Sequence, residues 1–125
     1  MEDEGRALGE RLPLALTMGE PGGIGPDITL SAWSRRSALR LPPFYCLADP
    51  DTLRARAAGL GLALPIEVVT PAEAAAAFDR ALPVVRLDGT VVAEPGRAES
   101  RNAGAVIEAI ARAVGDIRSG AARGV

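Results

Sequence analysis

Apolar residues along this chain fall into short runs that alternate with segments of helical spacing. "PLALTM" (13–18), "PPFYCLA" (42–48), "PIEVV" (65–69) and "LPVVRL" (82–87) read as buried strands bounded by Gly and Pro. Between them the periodicity changes. After a glycine-rich loop, "PDITLSAWSRR" places Ile28 and Ala32, with Trp33 beside them, on one face of a helix of two to three turns. Pro26 stands at its first position, where the missing N–H costs nothing. "DPDTLRARAAGLG" (49–61) predicts a helix with Asp49 as N-cap, Pro50 at the first position and Gly59 or Gly61 as the stop. "TPAEAAAAF" (70–78) carries the Thr70–Glu73 spacing of a capping box. "DG" (88–89) predicts a turn, "TVVAE" (90–94) a return strand and "PGRAES" (95–100) a loop.

The clearest helix spans about 101–118, capped by Ser100 or Asn102 and stopped by Gly120. Ala103, Val106, Ile107, Ile110, Ala111, Val114 and Ile117 form its apolar stripe, which predicts the core-facing side. Glu108, Arg112 and Arg118 fall on the other side. Strands alternating with helices predict an α/β fold: a mostly parallel sheet with flanking helices. "AARGV" (121–125) reads as the approach to a further strand, so the sheet is expected to be incomplete. Residues 1–12 read as a polar leader and 13–125 as the N-terminal α/β portion of a larger subunit.

Composition narrows the chemistry. Nearly half the residues are apolar and the net charge is −2, which suits a globular domain and not an electrostatic nucleic-acid binder. No run reaches the length of a membrane span, and the acidic N-terminus lacks the features of a signal peptide. Every basic residue is arginine; there is no lysine and no histidine. That excludes an imidazole base, a His metal ligand, a Ser-His-Asp triad and a lysine nucleophile within these residues. Cys46 is the single cysteine and sits in a strand pattern, so it reads as a buried structural thiol. One thiol without a disulfide partner fits a reducing cytoplasm. Asp49, Asp51 and Asp88 read as caps and turns, and Arg101 and Asn102 as helix-start residues.

The stretch with chemical potential is "TMGEPGGIGPD" (17–27), between the first strand and the first helix. It is not a dinucleotide fingerprint: Gly23-Ile24-Gly25 starts one, but position 28 is Ile. It is not a Walker loop, lacking the lysine and hydroxyl. Two readings stand open. Gly22, Gly23 and Gly25 could let a ligand approach the backbone beside the positive end of a helix. Alternatively they only make a tight turn. Glu20 and Asp27 would repel a phosphate placed against them, and could instead hold sugar hydroxyls or the loop's own backbone.

"LTMGEPGGIGPDI" resembles the N-terminal signature of the 4-hydroxythreonine-4-phosphate dehydrogenase family, T-x-G-[DE]-P-[AG]-G-I-G-P-[DE], filled here by Thr17, Gly19, Glu20, Pro21, Gly22, Gly23, Ile24, Gly25, Pro26 and Asp27. "CLADPDTLRARAAGLGL" (46–62) and "ESRNAGAVIEAIARAVGDIRSGAARGV" (99–125) are similar to later elements of the same family. The resemblance implies an isocitrate/isopropylmalate dehydrogenase-like fold. It also implies an NAD (or NADP) and divalent-metal (such as Zn, Mg or Co) dependence, a homodimer and a small phosphorylated hydroxy-acid substrate. The implied reaction oxidises 4-phosphooxy-L-threonine, with decarboxylation, in pyridoxal 5'-phosphate biosynthesis. A related dehydrogenase of phosphorylated threonate or erythronate is the alternative, as is a non-catalytic binding or dimerisation fragment. Family members hold the metal with histidines and the substrate with a histidine–threonine pair and later basic residues; no residue here takes those roles. The expected cofactor-side residues are Gly22, Gly23 and Gly25, through their backbone, with Glu20 and Asp27 orienting the loop.

Overall fold

The computed structural model describes residues 12–89, 91–94, 96–97 and 100–125, so the expected leader lies outside the described residues except for its last position. Strand β1 (Leu14–Thr17) leads through the glycine loop into helix α1 (Gly25–Ser34), followed by the short α2 (Arg36–Leu39). Strand β2 (Phe44–Ala48), helix α3 (Pro50–Gly59), strand β3 (Ile66–Val68), helix α4 (Pro71–Ala77) and strand β4 (Leu82–Arg86) follow. A 3₁₀ turn (Ser100–Asn102) then opens helix α5 (Ala103–Ser119). The four strands lie in the order β1-β2-β4-β3 and pair in parallel throughout, with Leu14 opposite Phe44, Cys46 opposite Val84 and Ile66 opposite Leu82. The expected mostly parallel α/β sheet is what forms.

Every residue of β2 is buried, because helices cover both faces of the sheet. Phe44, Cys46, Leu82 and Val84 point to one side, into a core with Leu30 and Trp33 of α1 and Leu53 and Ala57 of α3. Tyr45, Leu47 and Val85 point to the other, against Ala74 and Ala77 of α4 and Ala105, Ala109 and Ala113 of α5. Burial pushes the Cys46 thiol far above its ordinary range, as a structural thiol requires.

The local signals act as their chemistry demands. The Asp49 carboxylate accepts from the Thr52 N–H at 2.9 Å and starts α3. Glu73 accepts from the Thr70 N–H at 2.8 Å, closing the capping box of α4. Gly120 takes the left-handed conformation (φ 84°) that ends α5.

Three expectations are corrected. Residues 91–93 form no strand, and Glu94 makes only an isolated bridge to Arg97; Thr90 lies outside the described residues. The reason is a competitor: the Asn102 side chain takes both the N–H (2.7 Å) and the C=O (2.5 Å) of Val92, leaving neither for a ladder. In α1 the buried row is Pro26, Thr29, Leu30 and Trp33, while Ile28 is exposed.

The third correction is the largest. Helix α5 is turned so that its alanine row, Ala105, Ala109 and Ala113, meets the sheet. Ile107 is 67% exposed and Ile110 53%, and Val114 and Ile117 also face outward. Polar residues set this rotation. Glu108 accepts from the Asp88 and Gly89 N–H groups at 2.8 Å each, and Arg112 donates to the Arg86 carbonyl at 2.8 Å. Asp116 accepts from the Tyr45 hydroxyl at 2.5 Å. Residues 108, 112 and 116 form a row beside the alanines, so anchoring them to the sheet carries the aliphatic stripe outward.

Candidate functional site at the carboxyl ends of the strands

In an open α/β sheet, ligands bind outside the carboxyl ends of the strands, where connections from neighbouring strands leave to opposite faces. Here that point lies between β2 and β4: α3 follows β2 onto one face and α5 follows β4 onto the other. A crevice opens there, lined by Met18 and Gly19 of the glycine loop, Asp49 and Thr52 at the start of α3, Leu87 after β4, and Val106 of α5. It encloses about 20 Å³, room for a single water molecule. Arg86 and Asp49 face one another across the end of the sheet at 3.9 Å.

The glycine loop forms one wall, and its glycines have visible reasons. A Cβ on Gly22 would lie 2.2 Å from the Arg97 carbonyl oxygen and 2.7 Å from that of Glu94. A Cβ on Gly25 would lie 2.3 Å from the Met18 carbonyl oxygen. At these positions the space that a side chain would need is filled by the protein's own backbone. Gly23 is less crowded, 3.2 Å from the Glu20 carbonyl oxygen that also accepts its N–H. The Gly96 N–H donates to the Gly22 carbonyl at 2.8 Å, fastening Gly96 onto the loop.

Both loop carboxylates are engaged inside the protein. Asp27 pairs with Arg56 of α3 at 2.5 Å. The same guanidinium donates to the carbonyls of Pro21 and Gly23, each at 3.1 Å, and its side chain is only 8% exposed. Arg56 thus holds three points of the loop at once, using the planar fork that only arginine offers. On the other side Glu20 accepts from the Asn102 amide at 2.9 Å. Asn102, fully buried, joins the glycine loop, the 91–94 segment and the start of α5.

Glu20, Gly22, Gly23, Gly25 and Asp27 are therefore brought together in one locked loop beside the crevice. Arg56 and Asn102, which do the locking, escape a reading of the sequence. Asn102 reads there as a helix cap, and nothing in the "RAR" of α3 distinguishes Arg56 from its solvated neighbour Arg54.

No group of three His, Cys, Asp or Glu side chains able to hold a metal occurs among the described residues. With no histidine in the chain, the described residues do not fit the histidine-held metal centre that the resemblance implies. The crevice itself is water-sized, and the spaces beside Gly22 and Gly25 are filled. Among the described residues no helix is long and apolar enough to cross a membrane.

Comparison with known proteins places this wall in context. No family model matches the chain. A 4-hydroxythreonine-4-phosphate dehydrogenase of Methylorubrum extorquens is 50% identical over 115 residues, 90% of this chain and 33% of its own length. That of Bradyrhizobium diazoefficiens is 46% identical over 121 residues, covering 90% and 35%. The chain matches the N-terminal part of the 4-hydroxythreonine-4-phosphate dehydrogenases. It spans about a third of the length of these curated relatives. The crystal structure of such a dehydrogenase from Burkholderia phymatum superposes with a TM-score of 0.77 at 21% identity, covering 90% of this chain and 34% of that one. The Klebsiella pneumoniae enzyme gives 0.66 at 21% identity, covering 90% and 35%. These likenesses show the fold, the α/β arrangement of a parallel sheet with flanking helices that the strand and helix pattern predicts.

Proposed function

We propose that this chain is the first part of an oxidoreductase that oxidises 4-phosphooxy-L-threonine, with decarboxylation, in pyridoxal 5'-phosphate biosynthesis. The observation that carries the reading is the 50% identity to a dehydrogenase of that name over nearly the whole chain. In the complete subunit the acceptor would be NAD (or NADP), and a divalent cation such as Zn, Mg or Co, held by residues outside these 125, would supply Lewis-acid polarisation of the substrate alcohol. The assembly is a cytoplasmic homodimer. Phosphorylated threonate or erythronate is the alternative substrate.

Within that subunit these residues supply a scaffold. The locked loop forms one wall of the cofactor side, with Gly19, Gly23 and Ile24 on its outer surface and Glu20 and Asp27 holding its shape. Gly22 and Gly25 serve the loop's internal packing. The histidine ligands that the resemblance implies for the metal come from outside these 125 residues, because this chain has no histidine to give.

A chimera tests this: residues 13–125 replace the corresponding third of the Methylorubrum extorquens enzyme. Reduction of NAD with 4-phosphooxy-L-threonine and a divalent cation is expected from the chimera and not from the 125-residue chain. Turnover by the short chain alone would refute the scaffold role. A folded chimera active only on phosphorylated threonate or erythronate would replace the substrate. In the active chimera, Gly23→Val is expected to raise the KM for NAD; an unchanged KM would limit the loop to a turn.

A further inference from the structure

The "DG" step at 88–89 is a sequence signal that the function leaves unused. Asp88 is the one aspartate in the chain followed by glycine, and both residues are exposed just past the end of β4. The fold has a reason for the glycine. A Cβ there would lie 3.2 Å from Oε1 of Glu108 and 3.4 Å from the Ala105 Cα, so a side chain would press on α5. The same missing side chain leaves the Gly89 nitrogen bare beside the Asp88 carboxyl, which that nitrogen can attack.

The structure also holds a guard. The Glu108 carboxylate accepts from the Asp88 N–H with one oxygen and from the Gly89 N–H with the other, each at 2.8 Å. Arg112 steadies that carboxylate at 3.2 Å while donating to the Arg86 carbonyl at 2.8 Å. Two effects oppose attack. The paired hydrogen bonds fix the plane of the Asp88–Gly89 peptide, so its nitrogen cannot turn onto the side chain. The negative charge of Glu108 also disfavours loss of the Gly89 amide proton, which a nucleophilic nitrogen must give up.

We infer that Asp88–Gly89 is a site of aspartate isomerisation that Glu108 keeps closed. When the clamp opens, the Gly89 nitrogen attacks the Asp88 Cγ. A C–N bond forms, the C–OH bond of the protonated carboxyl breaks, and the amide proton leaves with that hydroxyl as water, giving a cyclic imide. A solvent water then adds at the backbone carbonyl carbon of Asp88, and the bond from that carbon to the Gly89 nitrogen breaks. Gly89 stays attached through the former side-chain carbonyl. The product is isoaspartate; nothing is oxidised or reduced, and the mass is unchanged. The main chain is now longer between the two N–H groups, so they no longer meet one carboxylate together. The modification thus releases α5 from the end of β4, beside Leu87 and Asp49 of the crevice wall, where Arg86 faces Asp49.

The test incubates the full 125-residue chain at neutral pH, folded or unfolded in urea, and follows isoaspartate in the tryptic peptide 87–97 by electron-transfer fragmentation. Hydroxylamine traps the imide in parallel samples. Isoaspartate is expected to accumulate slowly in the folded parent and much faster in urea. Glu108→Gln keeps the shape of the side chain but not its charge. It should raise the folded-state rate about ten-fold, the effect of removing a unit charge at hydrogen-bond distance, and leave the rate in urea unchanged. Leu30→Val loosens the core on the opposite face of the sheet and controls for global opening; its rate at Asp88 should stay near the parent's. Equal rates in the folded and unfolded parent would overturn the inference. So would a Glu108→Gln rate no faster than the parent's, or an acceleration by Leu30→Val as large as that by Glu108→Gln.

Discussion

Replacing Arg56 by methionine should loosen the glycine loop more than any change to the loop's own carboxylates. The guanidinium makes three contacts, to Asp27 at 2.5 Å and to the Pro21 and Gly23 carbonyls at 3.1 Å. Hydrogen bonds to a charged group contribute about 1.5–3 kcal/mol each when buried. Asp27 is 35% exposed, so water takes over part of its loss, and methionine refills most of the volume of the arginine stem. The net destabilisation expected for Arg56→Met is about 2–3 kcal/mol. Asp27→Ala, which spares both carbonyl contacts, should cost about 1 kcal/mol. Urea unfolding followed by the fluorescence of Trp33, the chain's single tryptophan, buried between α1 and the sheet, measures both. With slopes of about 1–3 kcal/mol per molar urea, the midpoint for Arg56→Met should fall by about 1 M or more. Arg56→Lys, which keeps the charge but not the fork, should recover less than half of the loss. A midpoint for Arg56→Met within about 0.3 M of the parent would refute the claim that Arg56 locks the loop.

The glycines should divide by what surrounds them. Gly22→Ala and Gly25→Ala drive a Cβ into backbone oxygens at 2.2 and 2.3 Å and should each cost about 3 kcal/mol or prevent folding, whereas Gly23→Ala, at 3.2 Å, should cost about 1 kcal/mol in the same urea assay. Equal costs at the three positions would contradict the packing account. Glu108 carries a pH signature: the Asp88 N–H, then the Gly89 N–H and Arg112, hold its carboxyl below the usual range despite partial burial. A depressed folded-state pKa means that the stabilisation is complete above the unfolded value of about 4.3 and is lost as pH falls through the lower folded value. Glu108→Gln should therefore lower the urea midpoint at about pH 7 and shrink the difference from the parent below about pH 4. A difference that stays constant from about pH 7 to about pH 3 would assign the effect to packing.

Strands, helices and caps were legible along the chain because each rests on interactions within a few residues. The burial of β2 on both faces, the Asp49 cap, the Thr70–Glu73 box and the Gly120 stop all follow from patterns a few positions long. Even the parallel sheet follows, since the alternation of strand and helix leaves few other ways to cover the apolar runs. The loop signature likewise marked the segment that borders the crevice at the carboxyl ends of the strands. What the loop's residues do was not legible. Glu20 meets Asn102 across 82 positions and Asp27 meets Arg56 across 29, and no local pattern announces such partners. Helix α5 makes the same point on a larger scale. Its periodicity identified an aliphatic stripe correctly, but an aliphatic stripe looks the same whether it faces a core or waits for a partner. Only tertiary contacts, Glu108 with the turn after β4, Arg112 with Arg86 and Asp116 with Tyr45, decided which side of the helix met the sheet.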